Sequence, residues 1–135
     1  MIPAGDYGAV WAFGPRDVWL GNGAGQLLHY DGSRWQAYAS GSRDPFGGIV
    51  QLWGEGGVLY FATRAEFGRW QGAGAEILLA PPADADYTKY PATLGRFWGR
   101  SASEVFIPLR DSRFESYACG GVFMVWFDGT LFHVF

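Results

Sequence analysis

Cysteine is almost missing from this chain: Cys119 stands alone, so an internal disulfide is excluded and no cysteine cluster can hold zinc. Lysine occurs once, at Lys89, and charged side chains make up only 17% of the 135 residues. The net charge is −3, with no basic cluster, which argues against nucleic acid as a partner. No apolar run approaches the ~18 residues that a membrane-spanning helix needs, so no membrane partner is expected. Met1-Ile2-Pro3-Ala4-Gly5-Asp6 lacks the basic start and apolar stretch of a secretory leader. Cytoplasm is therefore the default expectation, with which a lone thiol is compatible. Apolar content of 49% excludes disorder, and the length fits one domain over residues 1–135.

Glycine and aromatic residues are plentiful: 21 Gly, 7 Trp, 7 Tyr and 11 Phe. Helical periodicity is scarce. Its best stretch, Arg64 to Glu76, is interrupted by Gly68, Gly72 and Gly74, each costing about 1 kcal/mol in a helix interior. Short aromatic and β-branched runs bounded by turn residues dominate, such as Val18-Trp19-Leu20, Val58-Leu59-Tyr60-Phe61 and Val122 to Phe127. These read as strands, and the chain as all-β.

The strands recur in a pattern. Val10-Trp11-Ala12-Phe13-Gly14, Leu52-Trp53-Gly54 and Phe97-Trp98-Gly99 each open a unit with an apolar-Trp pair, a polar turn and an apolar triplet. The interval is roughly 40–45 residues, enough for four short strands. A second half-motif follows: Leu28-His29-Tyr30-Asp31-Gly32-Ser33-Arg34-Trp35 in the first unit and Val125-Trp126-Phe127-Asp128-Gly129-Thr130-Leu131-Phe132 in the third. Phe67-Gly68-Arg69-Trp70 is its weaker counterpart in the second. Asp-Gly predicts two-residue type I′ hairpins. The units span approximately 6–45, 46–90 and 91–135, each with strands A to D.

Asp17-Val18-Trp19-Leu20 followed by Gly25 to Trp35 resembles the blade repeat of bacterial β-propellers of the kelch-like and Asp-box-like superfamily, with the best match in residues 10–38. The resemblance implies three four-stranded antiparallel blades, a half-propeller. Another antiparallel barrel or sandwich is the alternative architecture. Propellers have four to eight blades, and three would leave edges and apolar flanks open. Self-association, with a dimer favoured, is therefore expected, although a fragment of a larger propeller protein is a competing reading. Met1 and an end at Phe135 fit a complete short reading frame. Trp11, Trp53 and Trp98 are expected to pack between neighbouring units.

In an up-and-down sheet the B–C and D–A connections leave at one end, and the long segments 39–48, 80–92 and 110–121 all fall there. Long loops on a rigid scaffold are where binding groups concentrate. Arg43, Asp44, Tyr87, Tyr90, Arg110, Arg113 and Tyr117 are the candidate ligand contacts, since Tyr and Arg join flat faces to hydrogen-bond donors. The expected function is a non-catalytic module for a carbohydrate or peptide. The alternative is a small hydrolase or lyase using Asp111, Glu115 or a histidine in the same mouth. No catalytic residue, metal ligand or cofactor is assigned. His29 and His133 read as packing or surface residues, and Asp84 with Asp86 lacks a third cation ligand. Gly21 to Gly25 reads as a hairpin turn rather than a phosphate loop. Cys119 lacks a base, while Asp17, Asp31 and Glu104 read as turn-fixing residues.

Overall fold

A computed structural model of the chain describes residues 2–45, 47–82, 84–86, 92–111 and 122–135. These contain strands and no helix. Three antiparallel sheets follow one another along the chain, none of them closed. The first is a meander of β1 (Tyr7–Gly14), β2 (Asp17–Asn22), β3 (Gln26–Tyr30) and β4 (Trp35–Ala39). The second comprises β5 (Gln51–Glu55), β6 (Val58–Ala62), β7 (Phe67–Gln71) and β8 (Gly74–Leu79). The third contains β9 (Ala92–Leu94), β10 (Trp98–Ser101), β11 (Glu104–Asp111), β12 (Val122–Phe127) and β13 (Phe132–Val134).

Strand β9 is an element that the repeat pattern did not predict. The eight-residue β11 is too long for β10 alone: its first half pairs with β10 and its last three residues with β9. Between the two, the amide of Gly95 donates to Pro108 O at 2.7 Å.

The turns follow from their residues, with one departure from expectation. Gly56 and Gly57 have φ of 61° and 79°, so the two-residue turn from Glu55 to Val58 places both central residues in the left-handed region, as type I′ requires. The Asp-Gly turns are different. Only Gly32 and Gly129 have positive φ there, and no non-glycine residue does. Asp31 instead accepts from the amides of Ser33 and Arg34 at 2.9 and 3.0 Å, and Asp128 from those of Thr130 and Leu131 at 2.9 and 2.7 Å. Both are four-residue loops built on an Asx turn.

Alternation along each strand sends side chains to opposite faces, and the three sheets stack through them. Strand β6 is buried at every position. Its Leu59 and Phe61 face the first sheet and join a core with Trp19, Leu27 and Ile49. Its Val58, Tyr60 and Ala62 face the third sheet and join Phe67, Phe97, Val105, Ile107 and Phe127. One tryptophan in each sheet faces an aromatic cross-strand partner. Trp11 pairs with Trp19, Trp53 with Tyr60 and Trp98 with Phe106.

The indoles serve as knobs. A Cβ on Gly54 would lie 2.3 Å from the Phe13 ring and 2.9 Å from Trp11 Nε1, and one on Gly99 would lie 2.6 Å from the far edge of Trp53. Each tryptophan thus rests on a glycine in the first strand of the following sheet, where a side chain would displace it. The expectation of packing between units holds for Trp11 and Trp53 and fails for Trp98. Trp98 is 50% exposed, because it faces away from the second sheet, on a side where the described residues place no further sheet.

Ile49 ties the first two sheets together. It is 1% exposed, its amide donates to Asn22 O at 3.0 Å, and its side chain lies where a Cβ on Gly21 would stand. The neighbouring Gly48 passes so close to the β2–β3 turn that a Cβ would lie 2.5 Å from Gly23 Cα. Among these glycines the requirement is space, not an unusual φ.

Candidate functional site

The first strands of the three sheets come together: β5 runs beside β1 and also touches β10. Between them opens a cleft of about 540 Å³, lined by residues 8–11, 50–53 and 96–98. Its walls are the backbones and aromatic edges of these strands, and its only charged lining residue is Arg96. Arg96 is exposed and has no hydrogen-bond or ion-pair partner among the described residues. Gln51 sets the geometry of that wall. Its Nε2 donates to Gly95 O at 2.8 Å, and its Oε1 accepts from the Phe97 amide at 2.9 Å. The two bonds fasten the segment carrying Arg96 to β5.

At the end carrying the long connections, Arg43 and Asp44 sit on the β4–β5 connection. This segment is pinned by Glu66, a fully buried carboxylate. Glu66 accepts from the Ser42 hydroxyl and, at 3.3 Å each, from the amides of Arg43 and Asp44. Asp44 is itself buried, with its Oδ2 3.5 Å from Arg64 Nε. A buried carboxylate is tolerated when donors surround it, and this cluster supplies them. Asp44 therefore points into the protein as part of a structural clamp, whereas the Arg43 side chain is exposed.

Arg110 lies on a different sheet. In register with Val122, it belongs to the face of the third sheet that turns away from the other two. Its neighbour Asp111 is buried. Tyr87, Tyr90, Arg113 and Tyr117 lie outside the described residues, as do Lys89, Glu115 and Cys119. Of the residues expected to gather at one mouth, Arg43 and Asp44 are together and Arg110 is apart from them.

Both histidines have acidic partners that sequence spacing did not reveal. His29 Nε2 is 2.7 Å from Asp17 Oδ1, and its ring stacks on Trp19 with centroids 4.2 Å apart. His133 Nε2 is 2.8 Å from Asp128 Oδ2, and its ring lies 4.8 Å from Trp126. The bond from His133, reinforced by the Leu131 and Thr130 amides, lowers the Asp128 pKa to about 2. The Arg34 and Ser33 amides also lower that of Asp31. The first pair links the inner strands β2 and β3, and the second ties β13 to the turn before it.

Among the described residues no group of three histidine, cysteine or acidic side chains could hold a metal ion, and no helix is long and apolar enough to cross a membrane. The cleft escaped sequence reading because it is assembled from three strands far apart in the chain. The one available signal was the repeated apolar-Trp opening of each unit, which was read for packing alone. Compared with protein-family models, with characterised proteins and with solved structures, the chain matches none of them.

Proposed function

We propose that the chain is a non-catalytic binding module whose three sheets are propeller-type blades, with their first strands innermost. In such a fold the innermost strands surround a central channel, and ligand sites are concave, mostly apolar and equipped with a few placed polar groups. The observation that carries this reading is the cleft shared by β1, β5 and β10, with Arg96 as its single charge. The ligand is a carbohydrate or peptide that lies along the aromatic edges and directs a carboxylate at the guanidinium, which suits planar bidentate anions. Arg43 borders the end where the long connections leave, and a blade-based ring completed by self-association would extend the same channel.

The hydrolase or lyase alternative calls for a carboxylate whose pKa is raised by burial or by a like charge. Asp31 and Asp128 are displaced the other way, downward.

The test is a binding screen of acidic oligosaccharides and of peptides with a free C-terminal carboxylate, followed by titration calorimetry of any hit on wild type and Arg96→Ala. A loss of about tenfold or more in affinity, the scale of one charged hydrogen bond, with an unchanged melting curve, is the expected result. An empty screen, or equal affinity in the variant, would remove the cleft from consideration.

A further inference from the structure

The first and third sheets each leave one face uncovered, and register identifies what each face is made for. In the first sheet, Leu59 and Phe61 of the middle sheet have as counterparts Val18 and Leu20, which turn away from the second sheet. Ala12, paired with Val18, is the counterpart of Gly54 and Gly99. In the third sheet, Trp98 and Phe106 are the counterparts of Trp53 and Tyr60 and are stacked together on the outer face, with centroids 4.4 Å apart. The first sheet therefore ends in an unused socket and the third in an unused knob. Their surfaces correspond by register to the two sides of the interfaces already formed inside the chain, with the methyl group of Ala12 where those have the bare Gly54 and Gly99. The two faces are partly open: on the third sheet Trp98 is 50% exposed and Phe135 78%, and on the first Val10 is 63% exposed and Ala12 exposed, while Leu20 and Leu28 beside them are already buried.

We infer that the outer face of the third sheet docks on the outer face of the first sheet of a second copy, with Trp98 packed over Ala12 and held further out by its methyl group than Trp53 is on the bare Gly99. The occupant is another copy because the interface is a continuation of two that the chain already contains, residue position for residue position. Copy number follows from closure. One chain supplies three sheets, two supply six and three supply nine, and only six falls within the four to eight units that close a propeller ring. Each copy contributes one knob face and one socket face, so a two-fold pair holds two identical head-to-tail contacts and leaves no apolar flank open. The inference rests on the blade reading proposed above.

The experiment uses light scattering after gel filtration on wild type, Trp98→Glu, Ala12→Glu and an equimolar mixture of the two variants. Wild type is expected at twice the chain mass, and each variant alone at the chain mass, with a dissociation constant raised at least 100-fold. The mixture is expected to recover a dimer, because pairing the intact knob face of Ala12→Glu with the intact socket face of Trp98→Glu preserves one of the two contacts. Dissociation by Trp98→Glu alone, with Ala12→Glu still dimeric, would overturn the inference in favour of a face-to-face contact between third sheets. A monomeric wild type, or an open-ended ladder of larger species, would also overturn it. Trp53→Ala, which removes the equivalent knob within one chain, separates this failure from that of the blade reading. A lowered unfolding midpoint in Trp53→Ala beside a monomeric wild type sinks the copy interface alone. An unchanged midpoint sinks the repeat relation beneath it.

Discussion

The middle sheet and its two neighbours share a four-strand antiparallel meander, to which the third adds β9, yet they meet different surroundings. Strand β6 is buried along its whole length, between a core shared with the first sheet and a core shared with the third. Strands β2 and β11 bury one face against the middle sheet and turn the other outward. In the middle sheet every non-glycine side chain of β6 must therefore be apolar and fit its neighbours. In the flanking sheets the same demand falls on only one face within the chain. The outward faces are nonetheless rich in Val, Leu, Trp and Phe, some of them buried within one chain, as Leu20 is, and others exposed, as Trp98 is.

The largest expected effect sharpens this contrast directly. Phe61 is completely buried in the core shared with the first sheet, so Phe61→Ala should cost about 3–5 kcal/mol, the range for a large aromatic removed from a packed interior. Phe106, stacked on Trp98 at the outer face of the third sheet, is only partly buried. Phe106→Ala should cost about 1–2 kcal/mol in the isolated chain, since less apolar area returns to water. Urea unfolding at low protein concentration reads both. Equal losses would mean that the outer face is already covered within one chain.

A second test uses one structural position in its buried and open forms. Gly54 has an ordinary φ, so a side chain there is opposed by packing and not by the backbone. Gly54→Val should cost roughly 1–3 kcal/mol through overpacking against Trp11. Ala12→Val, at the counterpart position on the open face, should stay within about 0.5 kcal/mol in dilute solution, as exposed substitutions do. If the two variants melt alike, the repeat register does not carry the packing.

The succession of three antiparallel sheets was legible because its strongest mark is chemical. Trp11 and Trp53 must find a flat, side-chain-free seat, and Gly54 and Gly99 provide it one unit later, so the spacing of tryptophans reports the spacing of sheets. The details that escaped lie in contacts between segments distant in sequence. Ile49 is buried because Gly8, Gly21 and Gly48 make room for it. Glu66 is buried because donors from residues 42–44 reach it. Neither is signalled by any local pattern. The Asp-Gly turns were misread for a related reason. The dipeptide fits type I′ geometry, but side-chain capping by the aspartate stabilises a longer loop in which only the glycine needs positive φ. The candidate ligand contacts chosen by residue type on long loops were only partly legible. Loop length says where a chain is free to vary, while the direction of Asp44, into the clamp with Glu66 and Arg64, depends on the fold.

The smallest expected effect compares the first and third sheets at the same turn. Asp31 and Asp128 each cap a four-residue loop through two backbone amides, but only Asp128 is also hydrogen-bonded to a histidine, because His133 occupies the position that Gln36 holds in the first sheet. Both carboxylates have pKa values below the ordinary range, that of Asp128 at about 2. A depressed carboxylate pKa stabilises the fold above the unfolded-state value of about 3.9, and the contribution is lost as pH falls through the folded value. The difference in melting temperature between wild type and Asp128→Asn should therefore be constant near neutrality and shrink from about pH 4 towards pH 2. Asp31→Asn should show the same trend with smaller amplitude, since its cap lacks the imidazole. His133→Gln should bring the third sheet's turn to the behaviour of the first. An Asp128→Asn difference that stays flat down to pH 2 would mean that the aspartate–histidine pair contributes nothing to folding, and that the two turns are alike in energy as well as in shape.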